Sequence, residues 1–371
     1  MTTIVLCANN IQELGGAQKV VHTLAKGFAD RGHDVHVVGI TPVDDRHPYA
    51  TNYSTKTLMD SVWPLRTPTN GDKGNKDHTN KELRETLRGA AVSKLRTLLN
   101  SLESGVIISA QLWALEIVLD ARTETQRNSW PIFGQYHGSF AAAASGRDIL
   151  RAQKLAPACE YFTVLSDEDR DAFALAGLTN ARVMPNPLTI SSTQLSEARS
   201  AVRGDSINFV GRLSEEKGPD LLLEAWALLK EQNRKLIFTG TGPLQESLRT
   251  RAQNLLNVEF HLPVPDPAPV IARSGVVVIP SRTEGAPLVL AEALALGTPV
   301  VVADASSGIR SMVHGNPRVV VVERENPAAL AEGIKRALAL DVNAPVNYPP
   351  ISNQEIYERW ESLFKGASWL G

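Results

Sequence analysis

Thiols are almost missing from this chain: only Cys7 and Cys159 occur among its 371 residues. Cys7 lies in an apolar, strand-like run and Cys159 follows a Pro-Ala step, so both read as buried free thiols. That excludes a disulfide framework and fits a reducing compartment. No apolar run approaches the ~18 residues that a membrane span requires. The opening Met1-Thr2-Thr3-Ile4-Val5-Leu6 has no basic region of the signal-peptide kind, so a soluble cytoplasmic protein is expected. An excess of one charge is lacking too. The 38 basic residues stand against 40 acidic ones, which leaves no electrostatic footprint for nucleic acid. No compact cluster of His, Cys and Asp has metal-ligand spacing, so neither a metal nor another cofactor is expected to be required. What is present is a composition of 43% apolar and 21% charged residues. Those are the proportions of a folded globular chain, and the length predicts two or three domains.

Hydrophobic periodicity predicts two consecutive α/β halves. Ile4 to Ala8 reads as a buried strand, Ala17 to Arg31 as an amphipathic helix closed by Gly32, and Asp34 to Ile40 as a second strand. Together they make a βαβ unit. Residues 41–81, broken by prolines and polar residues, read as a long surface excursion. Residues 82–104 return to helical spacing. Strands are predicted at Val106–Ser109, Ile132–Tyr136, Phe162–Leu165 and Arg182–Met184, with helices at Trp113–Ala121 and Asp167–Ala176. After Pro185-Asn186-Pro187, the polar stretch Thr189 to Asp205 is the best linker candidate. A new series then begins, with strands at Ile207–Val210, Leu236–Thr239, Val258–His261, Val276–Ile279, Val300–Ala303 and Val319–Val322 and helices between them. Such alternation argues for parallel, doubly wound sheets, whose ligands sit beyond the strand C-termini. The expected domains are residues 1–187 and 188–352. Residues 353–369 are expected to form a helix that packs back onto the first, with Ile356, Tyr357, Trp360, Leu363 and Phe364 at helical spacing.

Chemistry-bearing residues follow the predicted strands. The stretch Pro280-Ser281-Arg282-Thr283-Glu284-Gly285-Ala286-Pro287-Leu288 runs from a strand through a loop into a short helix that ends near Gly297. Pro287 suits a first helical position. Glu284 then sits on the loop and Glu292 within the helix, whose free N–H groups and positive dipole end suit a phosphate. Two carboxylates beside a phosphate pocket fit a ligand with both hydroxyls and phosphates, such as a nucleotide sugar. The loop Gly211-Arg212-Leu213-Ser214-Glu215-Glu216-Lys217-Gly218 offers Arg212 and Lys217 to a diphosphate. A solvated pairing with Glu215 and Glu216 is the plain alternative. Gly240-Thr241-Gly242-Pro243-Leu244 opens another helix, and by itself it reads more plainly as a turn with a helix start. Gly15-Gly16-Ala17-Gln18 lets backbone approach a ligand or makes a tight turn. It lacks the G-x-G-x-x-G dinucleotide fingerprint. His137-Gly138 follows a strand, although a lone histidine is commonly structural.

This succession of motifs resembles a retaining glycosyltransferase of family 4, the group 1 glycosyltransferases. The resemblance covers nearly the whole chain and is densest between residues 207 and 313. It implies an α/β chain of GT-B fold, with two doubly wound, Rossmann-like domains facing across a cleft. It also implies that Arg212 and Lys217 grip the donor diphosphate, that Glu284 contacts the transferred sugar, and that Glu292 holds the ribose hydroxyls. Gly16 would lie near the diphosphate and His137 near the sugar 6-hydroxyl. Gly211, Gly242, Pro243, Gly285, Ala286, Pro287 and Leu288 complete the implied donor site. Two departures stand out. Asn186-Pro187 replaces the frequent Asn-Gly, and Ser311 stands where a Glu is common.

The expected activity is hexosyl transfer from a nucleotide-diphosphate sugar, a UDP-sugar in the first place, to a hydroxyl acceptor in cell-surface glycan or glycopolymer synthesis. The rivals are a nucleotide-sugar epimerase of the same fold and an inactive sugar-nucleotide-binding regulatory protein. On the acceptor side, Lys73, Lys76, Lys81, Arg84 and Arg88 make the irregular region basic. Either they form a solvated helix face, or they meet an anionic, lipid-linked glycan in peripheral contact with the inner face of the membrane.

Overall fold

Strands rich in Val and Ile can bury both faces of a sheet when helices carry the crossovers between parallel strands. The computed structural model shows this arrangement twice. It describes residues 1–44, 46–47, 49, 51–63, 76–199, 201–229, 233–340 and 351–367, with the side chains of 76–80 and 199 left out of the description. The chain divides into one unit of Met1–Pro187 with Gln354–Gly371 and a second of Leu188–Asn353.

The first unit contains β1 (Thr3–Ala8), β2 (Asp34–Gly39), β3 (Ser54–Thr57), β4 (Val106–Ser109), β5 (Ile132–Gln135), β6 (Tyr161–Val164) and β7 (Ala181–Val183). They lie in the order β3-β2-β1-β4-β5-β6-β7, with parallel pairing throughout. The strand order reverses between β1 and β4. Ile4, Val5 and Leu6 are wholly buried, as are Ile107 and Ile108 on the neighbouring strand. Each such side chain contributes roughly 1.5–3 kcal/mol.

The excursion predicted over residues 41–81 contains structure that hydropathy does not mark. β3 is the polar sequence Ser-Thr-Lys-Thr on the edge of the sheet, paired with β2. An edge strand with exposed side chains needs no apolar pattern. The helix that follows starts at Lys76 and runs to Ser101, earlier than its first apolar residues suggest. Two further helices, Phe140–Ser145 and Asp148–Leu155, stand between β5 and β6.

Helix Asn353–Gly366 belongs to this first unit for most of its length and buries Ile356, Trp360 and Phe364. Trp360 and Phe364 meet Phe133 of β5 edge-on at 6.1 and 5.4 Å between ring centroids. Arg31 donates two hydrogen bonds to Glu361, at 2.6 and 2.8 Å. That bond, with help from His33, holds the Glu361 carboxyl down at about 2.

The second unit contains β8 (Ile207–Val210), β9 (Leu236–Thr239), β10 (Val258–His261), β11 (Val276–Ile279), β12 (Val300–Ala303) and β13 (Val319–Val322). Their order is β10-β9-β8-β11-β12-β13, again parallel. Successive strands step one way from β8 and the other way from β11, so the order reverses between these two. The linker expected over Thr189–Asp205 is instead part of this unit. Ser192–Arg199 forms a helix, and Ile190 and Ala198 are buried against Ile271, Leu290 and Leu294. Its few apolar residues cover one side of a core and so give no strong periodicity.

Candidate active site

In a doubly wound sheet, ligands gather beyond the strand C-termini where the order reverses. In the second unit that place lies between β8 and β11, and the loops that follow these strands are joined there. Lys217 Nζ lies 2.6 Å from Glu284 Oε1, which also accepts a 2.9 Å bond from Ser281 Oγ. The Glu284 side chain is only 9% exposed, against 34% for Lys217. The pair is therefore a nearly buried carboxylate covered by an ammonium group that is about one-third exposed.

Backbone and ionic contacts fix this geometry. Gly218 ends the short 3₁₀ turn Glu215–Lys217 with φ of 65°. A Cβ there would lie 2.3 Å from the Pro280 carbonyl oxygen, so only glycine permits the approach of the two loops. Arg282 extends the junction. Its guanidinium donates to both carboxylate oxygens of Asp220 at 2.9 and 2.7 Å and to the Glu215 carbonyl at 2.8 Å. Its backbone N–H donates to the Glu216 carbonyl at 2.9 Å. A fork-shaped cation matched to one carboxylate gives direction as well as energy.

The loop after β9 lies on the loop after β8. A Cβ at Gly240 would be 1.9 Å from the Gly211 carbonyl oxygen, and one at Gly242 would be 2.4 Å from that of Leu213. Leu244 donates back to the Leu213 carbonyl at 2.9 Å. The loop that carries Gly242 and Pro243 is thus packed on the loop that carries Gly211 and Lys217. Arg212 is exposed, and its guanidinium makes no hydrogen bond to the described residues. On the other side, Ser306 Oγ donates to the Gly285 carbonyl at 2.6 Å and caps helix Ser307–Val313.

Helix Leu288–Ala295 has Pro287 as its N-cap, in extended conformation at ψ of 128°. The sequence suggested a first helical position for Pro287; the helix begins one residue later, at Leu288. Gly285 and Ala286 precede it on the loop. Glu292, 2% exposed on this helix, accepts a 2.6 Å bond from Thr189 Oγ1. Ser311 lies within the next helix, Ser307–Val313.

In the first unit, Gly15 is the N-cap of helix Gly16–Asp30, after β1 and therefore beside the reversal of that sheet. His137 lies two residues past β5, with Nδ1 3.1 Å from Asn186 Oδ1. Its Nε2 is shut off from solvent and has no partner among the described residues. Burial pushes the His137 pKa down to about 4, so the ring is neutral at physiological pH. With Nδ1–H donating to Asn186, Nε2 presents a lone pair.

The basic residues of this unit are divided. Lys73 lies outside the described residues, as does the side chain of Lys76. Lys81 is exposed, 4.0 Å from Glu85. Arg84 is half-buried, and Arg88 pairs with Asp120 across the neighbouring helix. Lys94 is likewise held by Asp60 at 2.8 Å. Among the described residues no group of His, Cys, Asp and Glu could hold a metal ion. The alternate aspartates Asp167, Asp169 and Asp171 start a helix. Asp169 binds the Ser166 hydroxyl and the Phe140 N–H, while Arg170 ties Asp167 to Asp171. Cys7 and Cys159 are both buried and unpaired, and burial raises each thiol to about 12.

Sequence reasoning named Arg212, Lys217, Glu284 and Glu292. It gave no role to Ser281, Arg282, Asp220, Ser306 or Thr189. Ser281 and Arg282 stood inside the recognised motif. Asp220 and Thr189 reach their partners from 62 and 103 residues away, a separation that no local pattern reports.

Residues 197–348 match the family described as glycosyl transferases group 1, and residues 14–191 match glycosyltransferase family 4. An uncharacterized glycosyltransferase of Haemophilus influenzae is 22% identical over 95% of this chain and 97% of its own length. D-inositol 3-phosphate glycosyltransferase 1 of Catenulispora acidiphila is 37% identical over 143 residues, 34% of each chain. Among solved structures, a mutant of S. aureus TarM in complex with fondaparinux, α-GlcNAc-glycerol and UDP superimposes with a TM-score of 0.78 at 14% identity. That match covers 98% of this chain and all of the other.

Proposed function

Because the chain belongs to the family 4, or group 1, glycosyltransferases, we propose that it moves a hexosyl unit from a nucleotide-diphosphate sugar to an acceptor hydroxyl with retention of configuration. Transfer of sugar and the GT-B fold follow from the family; the donor, the stereochemistry and the acceptor are the reading advanced here. The observation that carries it is the Lys217–Glu284 pair at the switch point of the second sheet. It sets a cation and a carboxylate side by side, one suited to a diphosphate and the other to sugar hydroxyls. A uridine diphosphate sugar is favoured as donor, and the UDP held by TarM supports that choice.

In the reaction, the acceptor oxygen bonds to the anomeric carbon on the face from which the diphosphate leaves. The bond from that carbon to the phosphate oxygen breaks, and the departing oxygen takes the acceptor proton. No protein base is needed. Arg212, Lys217 and the N–H groups at the start of helix Leu288–Ala295 would stabilise the charge that builds on the leaving group. Preorganised electrostatics of this kind is commonly the largest catalytic contribution. Glu284 would accept from the transferred sugar and Glu292 from the ribose hydroxyls. Gly16 is assigned to the diphosphate and neutral His137 to the sugar 6-hydroxyl.

The acceptor is read as a cell-surface glycan or its lipid-linked, anionic precursor, met at the inner face of the membrane. No helix of the described residues is long and apolar enough to cross a membrane. Exposed Lys81 suits such a contact, whereas Arg88 is committed to Asp120. Thermal shift and hydrolysis across uridine and guanosine diphosphate sugars test the donor reading. Stabilisation and slow hydrolysis with one UDP-sugar are expected. Conversion of donor to an isomeric nucleotide sugar without acceptor would instead favour an epimerase.

A further inference from the structure

The second unit begins at Leu188 and ends at Asn353, and the two ends are fastened to each other. Asn353 Oδ1 accepts from the Leu188 N–H at 2.7 Å, and Asn353 Nδ2 donates to the Leu188 carbonyl at 2.9 Å. One amide side chain thus pairs with both polar groups of one residue, as a neighbouring strand would. Ile190, two residues on, is 5% exposed and packs into the core of this unit. Thr189 is therefore held between a clamped residue and an anchored one, and its β-branched side chain has few rotamers. Its hydroxyl donates to Glu292 Oε1 at 2.6 Å, a short bond.

We infer that Thr189, fixed by the Asn353–Leu188 clamp, is a positioning residue that orients the Glu292 carboxylate for the nucleotide. The inference rests on the reading of Glu292 as the ribose-binding group. A carboxylate on a helix can turn about its last bonds, and only some orientations offer lone pairs to a pair of ribose hydroxyls. One oxygen tied to Thr189 removes much of that freedom before the ligand arrives, and ordering avoided on binding appears as affinity. Thr189 need not touch the nucleotide.

The test uses the full chain and UDP, with calorimetry as the readout. Thr189→Val keeps the shape and removes the donor, and should weaken UDP binding by about three- to ten-fold, within the range for the net contribution of one ordinary hydrogen bond. Thr189→Ser keeps the hydroxyl and should restore most of the affinity. In the Glu292→Gln background, Thr189→Val should add nearly nothing, because its effect passes through the carboxylate. Thermal melting of each variant excludes unfolding as the cause. Equal losses from Thr189→Val in both backgrounds would mean that Thr189 meets the nucleotide itself, and would overturn the positioning role. Unchanged binding in Thr189→Val beside weakened binding in Glu292→Gln would sink this inference while leaving the ribose reading intact. Unchanged binding in Glu292→Gln would sink both.

Discussion

Replacing Lys217 with Ala separates catalysis from folding at the centre of the proposed site. At 2.6 Å, two unit charges in an effective dielectric of ~20 attract by about 6 kcal/mol gross. Desolvation of the nearly buried Glu284 offsets most of that. The net contribution of the pair to stability is then about 1–2 kcal/mol, since Lys217 remains one-third exposed to water. Lys217→Ala should lower the melting temperature by a few degrees, because it leaves the nearly buried Glu284 side chain with Ser281 as its one side-chain partner among the described residues. Turnover should fall by ~10²–10³, the scale for losing one preorganised contact to the leaving group. Adding Glu284→Gln to Lys217→Ala should recover stability without recovering turnover, because it removes the uncompensated charge. Calorimetric melting beside steady-state kinetics reads both quantities. A double variant no more stable than Lys217→Ala would refute the charge argument, and near-normal turnover in Lys217→Ala would remove this residue from the mechanism.

Other perturbations probe the supports. Arg282→Lys keeps the charge but loses the fork that grips Asp220, so kcat should fall several-fold with the UDP affinity little changed; steady-state kinetics beside UDP calorimetry measure both. The Glu361 carboxyl, held down to about 2 by Arg31, is more acidic in the folded chain than its ordinary value of about 4.3. Its contribution is present above that ordinary value and lost as pH falls toward 2, so Glu361→Gln should flatten the acid side of the stability curve by about 1–2 kcal/mol after solvent screening. Urea unfolding between pH 5 and 3 reads that slope.

The architecture was readable wherever burial shapes the sequence. Runs such as Val276–Ile279 and Val300–Ala303 are strands buried on both faces, and their apolar continuity announces a parallel sheet. β3 escaped because an exposed polar edge strand carries no such signal. Helix Ser192–Arg199 escaped because few apolar residues suffice for its partial cover. In the candidate site, Lys217 and Glu284 on loops after strands, and Glu292 on the helix that follows, stood out by type and spacing. Their supports did not. The hydrogen bond from Thr189 and the fork from Arg282 to Asp220 depend on which loops the sheet order brings together, and only the folded chain reveals that.

The central claim, retaining transfer from a nucleotide-diphosphate sugar, meets its most direct test in the anomeric proton of the product. The experiment is a time-resolved proton NMR spectrum of the native chain turning over its UDP-sugar and a hydroxyl acceptor. An α-linked donor should give an α-linked product from the earliest time points, with UDP released in equal amount. A β-linked product at those same times would contradict the account.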